Sequence, residues 1–193
     1  MVKSNPAALS EKIILVTGAA RSGKSEWAEN LAIDSQKSVV YIATAMMLAN
    51  DPEWQARISK HQQRRPKNWT TIVESNNLSA LIEQGQPDSC LLIDSLGSWI
   101  AKFLDMKADS WQKTTDKLLF SLVNTNSTII FVAEETGWGV VPAYKSGRLF
   151  RDRLGYLSRQ IGTIADTTYL VVGGHVLNLS LLGTALPKIE EQA

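Results

Sequence analysis

Short apolar runs recur along the chain and alternate with longer stretches of mixed polarity. Several runs are nearly continuous over five or six positions, which is typical of strands buried on both faces of a parallel sheet. They predict strands at Ile13–Thr17, Ser38–Ala43, Trp69–Val73, Cys90–Asp94, Thr128–Ala133, Thr168–Val172 and His175–Leu179. Only Gly173-Gly174 separates the last two, so we expect a hairpin there and a possible antiparallel edge to the sheet.

The stretches between these runs have helical patterns. They predict helices at Ser25–Asp34, Pro52–Gln63, Leu78–Gln84, Ser98–Met106, Ser110–Val123 and Arg148–Ala165. Strands that alternate with helices indicate a doubly wound α/β fold with a mainly parallel sheet. We therefore expect a single domain over residues 1–193, with loose tails at residues 1–12 and 187–193.

Composition narrows the class of protein. The 193 residues include 20 Lys or Arg and 19 Asp or Glu, a net charge of +1, which gives no sign of a nucleic-acid partner. No apolar stretch reaches the roughly 18 residues of a membrane span, and the N-terminus lacks the apolar core of a signal peptide. Cys90, the only cysteine, lies in an apolar run, which predicts a buried and inert thiol. These features predict a cytoplasmic protein.

One segment has a specific chemical signature. The pattern G-x-x-x-x-G-K-[ST] is formed by Gly18, Ala19, Ala20, Arg21, Ser22, Gly23, Lys24 and Ser25. In such a loop the glycines let backbone N–H groups surround a phosphate, and the following helix adds its positive end. Lys24 is placed to reach the β- and γ-phosphates, and the Ser25 hydroxyl to ligate Mg²⁺. The predicted strand before the loop and helix after it favour a site for ATP or GTP.

A second acidic residue is expected at the same site. Asp94 ends the predicted strand Cys90–Asp94, the position at which P-loop proteins place a carboxylate linked to Mg²⁺. Asp94 and Gly97 also form the D-x-x-G pattern of GTPase switches. A signalling GTPase would have a guanine-reading Asn/Thr-Lys-x-Asp motif after a later strand, where this chain has Glu134-Glu135-Thr136-Gly137. The residues thus favour a P-loop phosphotransferase over a switch.

The remaining motifs resemble, in order, those of one family. They are the segment from Ile14 to Ser25, Tyr41-Ile42-Ala43-Thr44, Arg57-Ile58 with His61, Arg65-Pro66 and Trp69, Gly137-Trp138-Gly139-Val140-Val141-Pro142, Phe150-Arg151-Asp152, and Ala165-Asp166 with Tyr169–Gly174. This set resembles the bifunctional adenosylcobinamide kinases / adenosylcobinamide-phosphate guanylyltransferases. The resemblance extends from about Ile13 to Leu179.

The resemblance implies two reactions in cobalamin biosynthesis. A γ-phosphate is transferred to the hydroxyl of adenosylcobinamide, and GMP from GTP is then transferred to the resulting phosphate. His61 matches the histidine that holds GMP covalently in the family. A neutral imidazole is a good nucleophile near pH 7, which suits this role. His175 has no such match and is interpreted as structural. The resemblance also implies a homotrimer.

The resemblance further suggests which residues contact the nucleotide. Gln62, Gln63, Arg64 and Arg65 match residues that line the guanylyl site, and Glu74 matches an acid near the base or ribose. Ala43 and Thr44 lie at the carboxyl end of a strand, where open α/β sheets bind ligands.

One position departs from the pattern. Glu134 stands where the family usually has asparagine, a change that alters either nucleotide preference or the environment of the acceptor hydroxyl.

Two alternatives remain at this stage. One is an enzyme of narrower scope: a P-loop kinase of a small molecule without guanylyltransferase activity, or a guanylyltransferase that has lost its kinase step. The other is a nucleotide switch or motor subunit that performs no catalysis. Mutation of His61 separates the first alternative from the bifunctional enzyme, because only GMP transfer should require this residue.

Overall fold

A computed structural model describes residues 11–45, 64–73 and 76–187. Its strands are β1 (Ile13–Gly18), β2 (Ser38–Ala43), β3 (Thr70–Val73), β4 (Ser89–Asp94), β5 (Thr128–Glu134), β6 (Thr167–Val172) and β7 (His175–Asn178). Its helices are α1 (Lys24–Asp34), α2 (Leu78–Glu83), α3 (Leu96–Ala101), α4 (Ala108–Asn124), α5 (Lys145–Ile164) and α6 (Leu179–Leu182). The predicted helix Pro52–Gln63 lies outside the described residues.

Within these residues the strands form one sheet in the order β3-β2-β4-β5-β1-β6-β7. The first six strands are parallel, and β7 pairs antiparallel with β6. This confirms the predicted doubly wound α/β fold and its antiparallel edge. The carboxyl ends of β1, β2, β4 and β5 therefore meet at one edge of the sheet.

Each face of the sheet has its own apolar core. Ile14 and Val16 of β1 pack with Ala28 and Leu31 of α1 on one face. Ile13 and Leu15 point to the opposite face, which is covered by α2, α3, α4 and α5. Alternation with a period of two sends successive side chains of one strand to opposite faces. Such strands must be apolar throughout, as the sequence indicated.

Helix α3 differs from its prediction of Ser98–Met106. It begins at Leu96 because the side chain of Ser95 caps it, accepting a hydrogen bond from the Ser98 N–H. It ends at Ala101, and the chain then turns. The buried guanidinium of Arg153 in α5 donates to the carbonyl oxygens of Phe103 and Met106 at 2.6 and 2.7 Å. Arg153, about fifty residues further along the chain, thus provides the hydrogen bonds for carbonyl groups that the sequence pattern had placed inside a longer helix.

Two smaller expectations concern Cys90 and the end of the last strand. Cys90 is fully buried, and burial raises the pKa of its thiol to about 11, as expected of an inert cysteine. The predicted strand His175–Leu179 ends at Asn178, because the Asn178 side chain caps α6.

Candidate active site

The phosphate loop leaves the carboxyl end of β1 and leads directly into α1. At Gly18 a Cβ atom would collide with the carbonyl oxygen of Val171, so only glycine fits between β1 and β6. Gly23 caps α1 with a φ of 96°, a left-handed conformation that favours glycine. Both glycines of the motif therefore have a steric reason in this fold.

The lysine of the loop lies close to the loop backbone. Lys24 is 6% exposed, and its Nζ donates to the carbonyl oxygen of Ala19 at 3.2 Å. Ala19, Ala20 and Arg21 are exposed at the same edge. The loop is thus open to solvent, with a cationic group and the positive end of an eleven-residue helix beside it. This arrangement suits a polyphosphate.

Asp94 reaches the same edge of the sheet, two strands from β1. In the sheet register Asp94 pairs with Val132 of β5, and Val132 pairs with Val16, two residues before Gly18. On its other side Asp94 pairs with Ala43. The sheet itself therefore places the carboxylate and the phosphate loop together, although 70 residues separate Lys24 from Asp94 in sequence.

The candidate ligands are the Ser25 hydroxyl and the Asp94 carboxylate. They suit Mg²⁺ better than a metal ion that needs three or more protein ligands. Among the described residues, no group of three or more His, Cys, Asp and Glu side chains comes together for a metal. Mg²⁺ is commonly held by one or two protein oxygens together with phosphate oxygens and water. The Ser25 hydroxyl and the Asp94 carboxylate would supply those two protein ligands.

Tyr41 is a residue of this site that the sequence analysis did not assign a role. Its hydroxyl donates to Asp94 Oδ2 at 2.8 Å. Tyr41 is 3% exposed, and burial together with the nearby Asp94 carboxylate raises the pKa of its phenol. The phenol therefore stays protonated and acts as a donor. The sequence contained one signal for this contact. Side chains two positions apart on a strand point to the same face, so Tyr41 lies on the same face as Ala43, which pairs with Asp94 in the sheet.

Arg64 and Arg65, predicted to line the guanylyl site, both approach this cluster. Arg64 pairs with Glu26 in the first turn of α1 and with Glu29 at 3.4 Å. The Arg65 guanidinium lies over the Tyr41 ring, 3.2 Å from its centroid. Burial raises the pKa of Glu29, and the Asp94 carboxylate adds to this shift. Arg64 and Arg65 are thus docked against α1 and β2.

Thr44 links the ends of β2 and β4. Its buried hydroxyl donates to the Ser95 carbonyl at 2.6 Å and accepts from the Ser95 N–H at 2.7 Å. Ser95 in turn donates through Oγ to Glu134. The structure thus gives Thr44 a structural role beside Asp94, and its direct contact with a nucleotide stays a prediction.

Four predicted site residues lie outside the described residues: His61, Gln62, Gln63 and Glu74. Their roles stay predictions. His175, interpreted as structural, lies at the hairpin between β6 and β7, where its Nδ1 is 2.9 Å from the carbonyl oxygen of Gly173.

A cavity of about 530 Å³ lies on the opposite face of the sheet from α1. Its walls are α5, β1 and the segment after β7, and Glu134 and Glu135 line one end. The backbone N–H of Glu135 donates to the Gly18 carbonyl at 2.9 Å, so this end of the cavity adjoins the phosphate loop. Arg151 and Arg159 contribute positive charge to its lining.

The fold and the loop define the P-loop class of nucleotide-binding proteins: a strand of a parallel sheet runs into a Gly-Lys-Ser loop and a helix, with a carboxylate at the same edge. Within that class the chain belongs to one family. The sequence model of cobinamide kinase / cobinamide phosphate guanyltransferase matches residues 14–179.

Curated relatives agree with this family. The chain is 38% identical over 164 residues to the "Bifunctional adenosylcobalamin biosynthesis protein CobP" of Pseudomonas aeruginosa, an alignment that covers 83% of this chain and 92% of the relative. It is 34% identical over 177 residues to the "Bifunctional adenosylcobalamin biosynthesis protein CobU" of Escherichia coli K12, covering 84% and 96%.

Comparison with a solved structure supports the fold, and only the fold. A protein of Pyrococcus horikoshii OT3 superposes with a TM-score of 0.53 and 7% identity, covering 94% of this chain and 88% of that one.

Among the described residues, no helix is both long and apolar enough to cross a membrane.

Proposed function

We propose that this chain phosphorylates adenosylcobinamide and then transfers GMP to the product, giving adenosyl-GDP-cobinamide. The observation that supports this most strongly is the family match over residues 14–179, which includes the phosphate loop and Asp94. The geometry of the loop accounts for the use of a nucleoside triphosphate. The acceptor follows from membership of the family.

In the first step the acceptor hydroxyl oxygen attacks the γ-phosphorus of ATP or GTP. The new P–O bond forms as the bond to the β-γ bridging oxygen breaks, and the hydroxyl proton passes to a base. Lys24 and the amide groups of the loop hold the phosphates and offset the charge that develops on them. Bound Mg²⁺ would neutralise part of the same charge, with Ser25 and Asp94 as its protein ligands.

In the second step an imidazole nitrogen of His61 attacks the α-phosphorus of GTP. The bond to the α-β bridging oxygen breaks, and pyrophosphate leaves. A phosphate oxygen of adenosylcobinamide phosphate then attacks the same phosphorus, and the P–N bond to His61 breaks. Arg64 and Arg65, a few residues further along the chain, supply positive charge for this transfer.

The intermediate is tested by intact mass after incubation with GTP and Mg²⁺. The wild type should gain the mass of one GMP, and His61→Ala should gain none. His175→Ala is the matched control and should still form the adduct, because the chain has only these two histidines. No adduct in the wild type, under conditions in which GTP binds, would favour a P-loop kinase without GMP transfer.

The His61→Ala variant also distinguishes the kinase step from the GMP-transfer step. His61→Ala should still transfer a labelled γ-phosphate to adenosylcobinamide and should accumulate adenosylcobinamide phosphate. Parallel assays with ATP and GTP identify the donor of this first step. Nucleotide turnover that does not respond to cobinamide would instead favour a nucleotide switch.

The acceptor is proposed to enter through the cavity beside α5, because its end at Glu134 and Glu135 adjoins the phosphate loop. Gly155 lines this cavity, and a Cβ there would meet nothing within 4 Å. Gly155→Phe should therefore raise the KM for adenosylcobinamide without reducing guanylylation of His61. Gly155→Ala is the control and should leave this KM unchanged.

Assembly as a homotrimer is also proposed, in line with the resemblance. Apolar side chains are exposed on β7 and on the residues that follow it: Val176, Leu177, Leu179, Leu181, Leu182 and Leu186. Exposed apolar surface often marks a protein interface, which supports assembly through this part of the chain. Light scattering coupled to gel filtration should give three times the mass of the 21.3 kDa chain.

A further inference from the structure

Tyr41 touches two parts of the site at once. Its hydroxyl donates to Asp94 Oδ2 at 2.8 Å, and its ring lies under the Arg65 guanidinium, 3.2 Å from the centroid. The first contact involves the proposed magnesium ligand. The second holds a residue located four positions after His61. Tyr41 is the common neighbour of both, and it is buried in a strand whose backbone is paired on both sides.

Resting on the proposed function, we propose that Tyr41 is a positioning residue for both half-reactions: its hydroxyl orients the Asp94 carboxylate toward the metal, and its ring orients the Arg64–Arg65 segment. The two roles use different parts of one side chain, so they can be separated by substitution.

The hydroxyl contact engages one of the two oxygens of the Asp94 carboxylate. Oδ2 accepts the hydrogen bond from Tyr41, whereas Oδ1 accepts none within the part of the chain that the structure describes. A carboxylate held through one oxygen has a restricted rotation, which leaves the other oxygen in a defined place. Outer hydrogen bonds of this kind orient metal ligands, and their loss typically weakens metal binding 10- to 100-fold.

The ring contact depends on shape and on charge. A planar guanidinium stacks on an aromatic face, and the ring's negative quadrupole attracts its positive charge. Arg64, the adjacent residue, pairs with Glu26 and Glu29 of α1. The two arginines thus attach to α1, which begins at the phosphate loop, and to β2, which pairs with the strand that ends at Asp94.

Two substitutions of Tyr41 distinguish the roles. Tyr41→Phe removes the hydroxyl and keeps the ring, whereas Tyr41→Leu removes both. Tyr169→Phe is the matched control, since Tyr169 also contacts α1, through an edge-on contact with Trp27, and lies outside the proposed site. Arg65→Lys keeps the positive charge and loses the planar stack, so it tests the ring contact without altering the core.

The first measurement is the affinity of Mn²⁺ for the complex with a non-hydrolysable GTP analogue, by electron paramagnetic resonance. Tyr41→Phe should weaken Mn²⁺ binding by roughly tenfold. Tyr169→Phe and Arg65→Lys should match the wild type. This readout requires no catalysis. An unchanged Mn²⁺ affinity in Tyr41→Phe would overturn the hydroxyl role.

The second measurement is the rate of His61 guanylylation at increasing Mg²⁺. In Tyr41→Phe the rate should recover at saturating Mg²⁺, because only the metal site is affected. In Tyr41→Leu and Arg65→Lys it should stay several-fold lower at any Mg²⁺ concentration. Recovery in Arg65→Lys would overturn the ring role, even if Tyr41→Leu fails to fold. Failure of the wild type to form the adduct would instead count against the proposed function.

Discussion

The backbone N–H of Gly97 donates a 3.0 Å hydrogen bond to Glu134 Oε2, and the hydroxyl of Ser95 donates to the other oxygen of the same carboxylate. Glu134 ends β5, and Ser95 and Gly97 begin the segment after β4. The carboxylate therefore joins two neighbouring strand ends next to Asp94. The residue that departs from the family pattern is part of the framework of the site.

Glu134→Ala should destabilise the fold by about 1–3 kcal/mol, because it leaves the Gly97 N–H and the Ser95 hydroxyl without their acceptor. Glu134→Gln should be close to the wild type in stability. Its amide oxygen can accept from Gly97, and its NH₂ group can donate to Ser95. Urea denaturation of both variants measures the difference. If the free energy of unfolding fell equally in the two variants, the negative charge of Glu134, rather than its hydrogen bonds, would be what stabilises the ends of β4 and β5.

Lys24→Ala should lower the rate of phosphoryl transfer by about 100-fold or more, because the loop loses the charge that faces the phosphates. Lys117→Ala is the control, since Lys117 is exposed on α4 and far from the loop in sequence. Stopped assays with labelled ATP or GTP give the rates, and circular dichroism checks the fold. A Lys24→Ala enzyme as fast as the Lys117 control would remove Lys24 from the proposed machinery.

Gly18→Ala should destabilise the fold by about 1–3 kcal/mol and reduce nucleotide binding, because the new Cβ would collide with the Val171 carbonyl. Gly155→Ala should have the opposite effect on stability. It lies within α5 with open space around the new methyl group, so it should stabilise by about 0.5–1 kcal/mol. Thermal unfolding of the two variants compares the sites directly. A stable Gly18→Ala protein would mean that β1 and β6 can separate at this point.

Cys90 should not react with a thiol reagent at pH 8 in the native protein, since it is fully buried and burial raises its pKa to about 11. Unfolding in denaturant should expose one thiol per chain. The same shift predicts a pH dependence. As the pH rises above the usual value near 9.0, the unfolded state loses its proton first, so the free energy of unfolding falls.

Cys90→Ala tests this assignment. The decline in stability between pH 9 and pH 11 should be smaller in the variant than in the wild type, by denaturant titration at each pH. An identical decline in both proteins would assign the effect to other groups, such as tyrosines or lysines.

From the sequence alone, the strands, the class of the sheet and the phosphate loop were determined. Buried parallel strands must be apolar on both faces, as in Ile13–Thr17, and a phosphate loop needs glycine, lysine and serine at fixed spacing. These requirements are local, so they can be read from neighbouring residues. The antiparallel edge was also local, because two adjacent strands share Gly173-Gly174.

Only the tertiary structure decided which distant residues meet. The sheet order brings Asp94 beside Ala43 and Tyr41 beneath Arg65, and it turns Glu134 toward Ser95 and Gly97. Helix α3 ends at Ala101 rather than at the predicted Met106, because Arg153 donates hydrogen bonds to the carbonyls of Phe103 and Met106. Such pairings depend on the order of strands in space and on which atoms a buried polar group can reach. No window of adjacent residues contains that information.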